Sequence, residues 1–198
     1  IEVNALAGPQ PLEEGVPGEF YRDFYTYCPA LDQFVSSRLN KGIYPDDVLA
    51  ANLNRLKENA ALAVKYGLTP GLLCFEPRSV PKKLFEKFPT IRGARVDHPM
   101  RSFKPRYSLS LAHPLVKQHY SDLLTALLQQ VPELEFLTIW TNDSGAGFEH
   151  TRSLYVGRNG GAYIIREWNS DEDIAAAAAD NAVRFLALLR DTARRVNP

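Results

Sequence analysis

One stretch decides the fold of this chain, Glu135-Phe136-Leu137-Thr138-Ile139-Trp140-Thr141-Asn142-Asp143-Ser144-Gly145-Ala146-Gly147. Its first half is apolar, β-branched and aromatic, which predicts a buried β-strand. Its second half changes abruptly to Asn, Asp and small residues, which predicts that the strand ends in a loop. Ligands bind beyond the carboxyl ends of the strands in α/β sheets and barrels, so we expect Asn142 and Asp143 to lie where chemistry takes place.

The sequence on both sides of this strand alternates between strand and helix patterns. Apolar runs predict further strands, and apolar residues at spacings of three and four predict amphipathic helices. The predicted strands cover residues 19–27, 71–75 and 107–111, the predicted helices cover residues 45–66, 81–88, 115–130 and 170–197, and the predicted long loops cover residues 89–105 and 144–169. Residues 1–18 are rich in Gly and Pro, which predicts an irregular N-terminal arm or linker before a domain at 19–198.

This alternation predicts the fold class. Strands that alternate with helices indicate an α/β protein with a parallel sheet and right-handed crossovers. No glycine-rich phosphate loop follows a predicted strand, which disfavours a nucleotide-binding doubly wound sheet. The pattern favours (β/α) units of a TIM-barrel-like fold, and about four such units are predicted where a complete barrel has eight. Residues 19–198 are therefore predicted to be a barrel segment.

Composition excludes several classes of partner. The chain has 198 residues and balances 23 basic against 23 acidic residues, so no nucleic-acid partner is expected. The longest apolar run, at residues 174–179, is far shorter than the roughly 20 residues that span a membrane, so no membrane partner is expected. Cys28 and Cys74 give no disulfide framework, and the compartment stays open. Because the sequence begins at Ile1, we expect a removed leader or a piece of a longer protein.

Two carboxylates are the candidate catalytic groups. Asp143 follows the deciding strand, and Glu76 follows the strand at 71–75. Two strand spacings of about 4.8 Å place these carboxylates roughly 10 Å apart, which approaches the separation of about 6.5–9.5 Å in inverting glycosidases. Arg78 is expected to hold Glu76 ionised. The structural alternatives are a turn in which Asp143 accepts backbone N–H groups and a simple Glu76–Arg78 ion pair.

Other polar and aromatic residues are candidates for binding a substrate. Asp97, His98 and His113 lie in loops or at strand ends, where they suit sugar hydroxyls or proton transfer. Trp168 is predicted to stack on a sugar ring, whereas Trp140 is predicted to be part of the core. No His-x-x-x-His pair or similar ligand spacing is present, so neither a metal nor another cofactor is predicted.

The segment Trp140-Thr141-Asn142-Asp143 resembles the end of the fourth strand in the retaining clan of (β/α)₈-barrel glycoside hydrolases. That clan has an Asn followed by an acid/base Glu, and this chain has Asp in the second position. The resemblance implies that Asn142 binds a sugar hydroxyl and that Asp143 protonates the glycosidic oxygen. Hexosaminidase-like and α-glucuronidase-like barrels also place an acid there, and the segments at 74–78, 95–99 and 142–147 are similar to bacterial sugar-degrading barrels.

The sequence therefore predicts a carbohydrate-active enzyme that hydrolyses a glycosidic bond. The predicted residues are Asp143 and Glu76 for catalysis and Asn142, Arg78, Asp97, His98, His113 and Trp168 for binding the carbohydrate substrate. The alternatives are a non-catalytic carbohydrate-binding or assembly half-barrel and a metal-dependent sugar isomerase or hydrolase. The nucleophile of the retaining clan comes from the seventh strand, which this chain does not reach. Because half a barrel leaves sheet edges and an apolar face open, we expect self-association or a missing remainder of the barrel.

Overall fold

A computed structural model describes residues 1–3, 6–7, 18, 29–97, 103–141, 145–150, 152–153, 157–158 and 170–197. Its helices are α1 (Asp46–Lys65), α2 (Lys82–Lys87), α3 (Pro114–Gln130) and α4 (Asp171–Val196), with short 3₁₀ turns at Leu31–Gln33 and Pro89–Ile91. Its strands are β1 (Gly71–Phe75), β2 (Arg92–Arg95), β3 (Tyr107–Leu109), β4 (Phe136–Trp140), β5 (Arg152–Ser153) and β6 (Gly157–Arg158). The mixed α/β class is confirmed. The predicted strand at 19–27 lies outside the described residues.

The predicted helices form because their end signals and apolar stripes agree. Helix α1 buries one stripe, made of Leu49, Leu53, Leu56, Ala60 and Ala63. After its last turn Gly67 takes a φ of 69°, a left-handed conformation that costs glycine little. Helix α4 begins where the Ser170 hydroxyl accepts a hydrogen bond from the N–H of Asp173 at 3.2 Å. Of the described helices, none has the length and apolar character needed to cross a bilayer.

The central sheet is parallel and follows the order of the chain. Strands β1 and β4 pair in parallel, from Gly71 opposite Phe136 to Phe75 opposite Trp140. On the other side of β1, Glu2 forms a parallel bridge with Gly71. In the sequence, α1 lies between residues 1–3 and β1, and α3 lies between β1 and β4. Helix α4 follows β4 and packs against α3. Between β1 and β4 the chain also contains α2 and the strands β2 and β3.

The pairing of β3 differs from the prediction. We expected residues 107–111 to join the parallel sheet, but β3 pairs antiparallel with β2, which lies inside the predicted loop at 89–105. Gly93 makes this close pairing possible, because a Cβ atom there would come within 2.6 Å of the backbone of Leu109. The described residues therefore form three two-stranded sheets and two isolated bridges, Glu2 with Gly71 and Arg78 with Ala146, and four consecutive parallel units are not seen among them.

The two faces of the parallel sheet differ in exposure in the described part of the chain. Leu72 and Cys74 point toward the helices and are fully buried. Trp140 points to the other face, is 48% exposed and stacks on Phe75 with a centroid distance of 5.4 Å. The prediction that Trp140 belongs to the core is therefore wrong. The reason is that residues of opposite parity on a strand face opposite sides, and one side has little described cover.

Candidate functional site

Glu76 follows β1 directly, and its side chain is held from several parts of the chain. The residue is 2% exposed. Its Oε1 atom accepts a hydrogen bond from the N–H of Leu31 at 2.9 Å. Its Oε2 atom accepts from the hydroxyl of Tyr120 at 3.0 Å and from the N–H of Arg78 at 3.2 Å. The peptide bond between Glu76 and Pro77 is cis. The carboxyl group is thus fixed in position by protein donors.

Asp32 and Arg78 complete a group that we call the buried charge cluster, made of Asp32, Tyr44, Glu76, Arg78 and Tyr120. The Nη2 atom of Arg78, which is 1% exposed, lies 3.9 Å from Oδ1 of Asp32. The hydroxyl of Tyr44 donates to Oδ2 of Asp32 at 2.7 Å. The surrounding described side chains leave no space that a water-sized sphere can enter. In the described part of the chain, this cluster is closed to a ligand.

The ionisation of the cluster differs from the prediction. Burial has the largest effect on Glu76 and, together with the charge of the nearby Asp32, raises the pKa of its carboxyl from 4.5 to about 7. The hydrogen bond from Leu31 and the charge of Arg78 lower this pKa by less. Burial also raises the pKa of Asp32. The prediction that Arg78 holds Glu76 ionised is wrong, because desolvation outweighs the attraction of one guanidinium group.

Asp97 lies just beyond β2 and is fully buried. Arg95 binds it with two parallel hydrogen bonds, from Nε to Oδ1 at 2.7 Å and from Nη2 to Oδ2 at 2.8 Å. The N–H of Arg106 also donates to Oδ1 at 3.1 Å. This bidentate geometry is the strongest common arrangement of an Arg–carboxylate pair. Asp97, predicted to bind sugar hydroxyls, is engaged here in contacts within the protein.

His113 caps helix α3. Its Nδ1 atom accepts a hydrogen bond from the N–H of Leu115 at 3.2 Å, and its Nε2 atom lies 3.4 Å from the hydroxyl of Thr90. Burial lowers the pKa of the ring. The neutral ring therefore acts as an N-cap acceptor, a role that Ser, Thr, Asp or Asn more often fills. The structure shows contacts within the protein at both ring nitrogens of this candidate.

Four of the predicted site residues, His98, Asn142, Asp143 and Trp168, lie outside the described residues. The chain on either side of the segment 142–144 is described. Before it, the carbonyl of Trp140 accepts from the N–H of Glu76 at 3.0 Å. After it, Gly145 donates to the carbonyl of Val96 at 3.0 Å and accepts from the N–H of Ser79 at 2.6 Å. The segment that holds Asp143 therefore begins and ends beside the residues that follow β1 and β2.

The expected spacing of the two catalytic candidates needs correction. We placed the strands of Glu76 and Asp143 two positions apart, but β1 and β4 are direct neighbours. Their ends are separated by one strand spacing of about 4.8 Å, not two. The wide carboxylate spacing of an inverting glycosidase is therefore not expected at these two strand ends.

Several buried polar residues at these strand ends were not predicted. The hydroxyl of Ser110 donates to both carboxylate oxygens of Glu149, at 3.1 and 2.9 Å, and Glu149 is 1% exposed. The hydroxyl of Ser108 donates to the carbonyl of Gly147 at 3.2 Å. The sequence contained one signal for this pair, because Ser108 and Ser110 alternate in a strand and so share a face. Nothing local marked Asp32 or Tyr120, which come from distant parts of the chain.

These buried polar residues form a layer at the carboxyl ends of β1 and β2, which we call the strand-end layer. A carboxyl group with a pKa of about 7, as in Glu76, is poised to give or take a proton near neutral pH, although it is closed off in the described residues. No protein-family model, curated protein or solved structure matches the chain. The site itself is therefore the basis for a functional proposal.

Proposed function

We propose that this chain belongs to a carbohydrate-active enzyme that hydrolyses a glycosidic bond, with Asp143 as the general acid. One observation carries the proposal: the chain that follows β1, β2 and β4 converges at one end of the sheet. The N–H of Gly147 donates to the carbonyl of Pro77 at 2.9 Å, and Gly145 bonds to both Ser79 and Val96. Catalytic residues of α/β barrels come from the ends of several strands at this face.

The architecture supports a larger barrel. Segments 1–3, β1 and β4 neighbour one another in chain order with a helix between each pair, as successive (β/α) units do. One face of the sheet is covered by helices, and the other carries the exposed Trp140, as the unfilled interior of a partial barrel would. We propose that the remaining barrel strands come from another copy or from further chain, because an open apolar face is unfavourable in water.

Within this proposal, the buried residues act by positioning. The buried charge cluster and Asp97 fix the backbone that flanks the segment 142–144, whereas Asn142 and Asp143 contact the sugar. Glu76, first considered as a second catalytic carboxylate, is a positioning residue in this scheme because Leu31, Arg78 and Tyr120 bind both of its oxygens. The general acid protonates the departing oxygen, a step that typically contributes about 10²–10⁴-fold to the rate.

A non-catalytic carbohydrate-binding protein is the second candidate, and one observation favours it. The described strand-end carboxylates, Glu76, Asp97 and Glu149, all accept hydrogen bonds within the protein. A hydrolase of this kind needs a pair of carboxyl groups that face the substrate. If Asp143 stands alone, the same site binds sugars without cleaving them.

The test is an Asp143→Asn substitution in the full natural protein that contains this chain. Hydrolysis of a panel of aryl and oligosaccharide glycosides is measured together with oligosaccharide affinity by calorimetry. The matched control is Asp180→Asn, which changes the same group on the exposed surface of α4. The proposal predicts lost turnover with retained affinity for Asp143→Asn and no change for the control. Sugar binding without turnover in the parent protein would instead support the binding candidate.

A further inference from the structure

A cavity of about 490 Å³ opens beside the strand-end layer. The described side chains that line it include four cations and one carboxylate, which leaves a formal charge of +3. The cations are Lys82, Arg92, Lys104 and Arg106, and the carboxylate is Glu86, which pairs with Lys82 at 3.4 Å. A cavity lined by one sign of charge concentrates the field and attracts ions of opposite sign.

The walls of this cavity are aromatic as well as cationic. The rings of Phe85 and Tyr107 meet edge to face with a centroid distance of 6.4 Å. The guanidinium carbon of Arg92 lies 5.1 Å from the centroid of Tyr107. A guanidinium that stacks through its face still presents N–H donors at its edge, where they match the two oxygens of a carboxylate, sulfate or phosphate group. The cavity therefore offers an oxyanion site next to a surface that suits a ring.

Backbone hydrogen bonds of Arg106 join the cavity to the strand-end layer. This residue is 6% exposed, its N–H donates to Asp97 at 3.1 Å, and its carbonyl accepts from Val96 at 2.9 Å. Val96 in turn accepts from Gly145, which ends the segment containing Asp143. The backbone of Arg106 thus connects the cavity wall to the residues that follow β2 and to Gly145.

We infer that this cavity binds the anionic group of an acidic saccharide, one that carries a carboxylate, sulfate or phosphate. The inference deepens the proposed function and rests on it in taking a saccharide as the carrier of the anion. Arg92 and Lys104 bind the oxyanion, and Tyr107 and Phe85 contact the sugar ring. The cavity lies beside the residues that follow β2, so the anionic residue of the saccharide is held next to the strand-end layer.

The test measures the affinity of the full natural protein for galacturonate, galactose 6-sulfate and galactose 6-phosphate by calorimetry and ligand-observed NMR. Galactose is the neutral control, and inorganic phosphate and sulfate are the controls for an anion without a ring. We expect at least one acidic sugar to bind about tenfold or more tightly than galactose and than either inorganic ion. We also expect added salt to weaken this binding.

Variants locate the binding. The double variant Arg92→Gln with Lys104→Gln should lower the affinity for the acidic sugar about tenfold or more. The matched control, Arg55→Gln with Lys65→Gln on α1, removes the same charge elsewhere and should change nothing. Any of three results would overturn the inference. Galactose could bind as tightly as the acidic sugars, the inorganic ions could bind as tightly as the acidic sugars, or the two double variants could have equal affinity. If the protein binds acidic sugars but hydrolyses no glycoside, the proposed function alone is contradicted. If the protein hydrolyses glycosides but binds acidic and neutral sugars with equal affinity, this inference alone is contradicted.

Discussion

At the scale of the residue, Glu76 and His119 titrate in opposite senses. Burial raises the pKa of Glu76 to about 7 and lowers the pKa of His119 to about 4. The Nδ1 atom of His119 lies 2.7 Å from the buried hydroxyl of Ser37. The stabilising contribution of neutral Glu76 is present below pH 4.5 and is lost as the pH rises through 7. The stabilising contribution of neutral His119 is present above pH 6.5 and is lost as the pH falls toward 4. A rise in pH therefore weakens the contribution of Glu76 and strengthens that of His119.

Replacing Glu76 with Gln should remove one of these trends. Gln stays neutral, so the unfolding free energy of Glu76→Gln relative to the natural chain should grow between about pH 5 and pH 8, by roughly 2–3 kcal/mol. Urea denaturation at several pH values in this range measures the difference. Glu86→Gln, on the exposed surface of α2, is the control and should follow the natural chain throughout. Parallel pH profiles for Glu76→Gln and the natural chain would refute the buried, protonated carboxyl.

At the scale of the element, the sequence predicted the helices and strands whose apolar residues recur at a regular spacing. The apolar stripe of α1 and the existence of strands β1 and β4 were correctly predicted because periodicity is a local property. The prediction that β4 is a buried strand is wrong, because Phe136 and Trp140 are exposed and the three residues between them are only half-buried. Strand β2 was missed because Arg92, Gly93 and Arg95 show no strand periodicity, and its pairing with β3 is a tertiary feature. The same holds for the candidate site. Glu76 could be predicted from its place after a strand, but the partners of its carboxyl, at residues 31 and 120, are distant in the sequence and could not be predicted.

Two glycines in strands should respond differently to Ala. At Gly93 a new Cβ atom meets the backbone of Leu109 at 2.6 Å, which cannot move without breaking the β2–β3 pair. At Gly71 the three atoms nearest to the new Cβ all belong to the ring of Phe136, which is 39% exposed and can turn into solvent. We expect Gly93→Ala to cost about 2–4 kcal/mol of unfolding free energy and Gly71→Ala about 1 kcal/mol or less. Thermal and urea unfolding compare them, and equal losses would contradict the close strand approach.

At the scale of the whole molecule, the parallel sheet has an open side. Beside β4, a groove of about 400 Å³ runs against α4 and is lined by Leu137, Ile139, Leu186 and Leu189. The exposed fraction of Leu186 is 47%. Among the described residues, β4 pairs with β1 alone. An apolar groove beside an unpaired strand edge is a typical site of association.

We therefore expect the isolated 198-residue chain to self-associate. Light scattering should give a mass that rises with concentration above the 22.2 kDa of one chain. Leu186→Glu should shift it back toward the monomer, because a carboxylate in an apolar contact is costly. The matched control is Leu62→Glu on α1, since Leu62 is 51% exposed and lies outside the groove. A monomer at all concentrations, or the same shift in both variants, would exclude association through this groove.

The role of Asp143 is tested most directly by the leaving-group dependence of the Asp143→Asn variant in the full natural protein. A general acid is needed to expel a sugar alcohol but not an acidic dinitrophenol. We predict that kcat/KM falls about 10²–10⁴-fold for glycosides with alcohol leaving groups and less than about tenfold for dinitrophenyl glycosides. An equal loss with both leaving groups, or no loss with either, would contradict the assignment of Asp143 as the acid that cleaves a glycosidic bond.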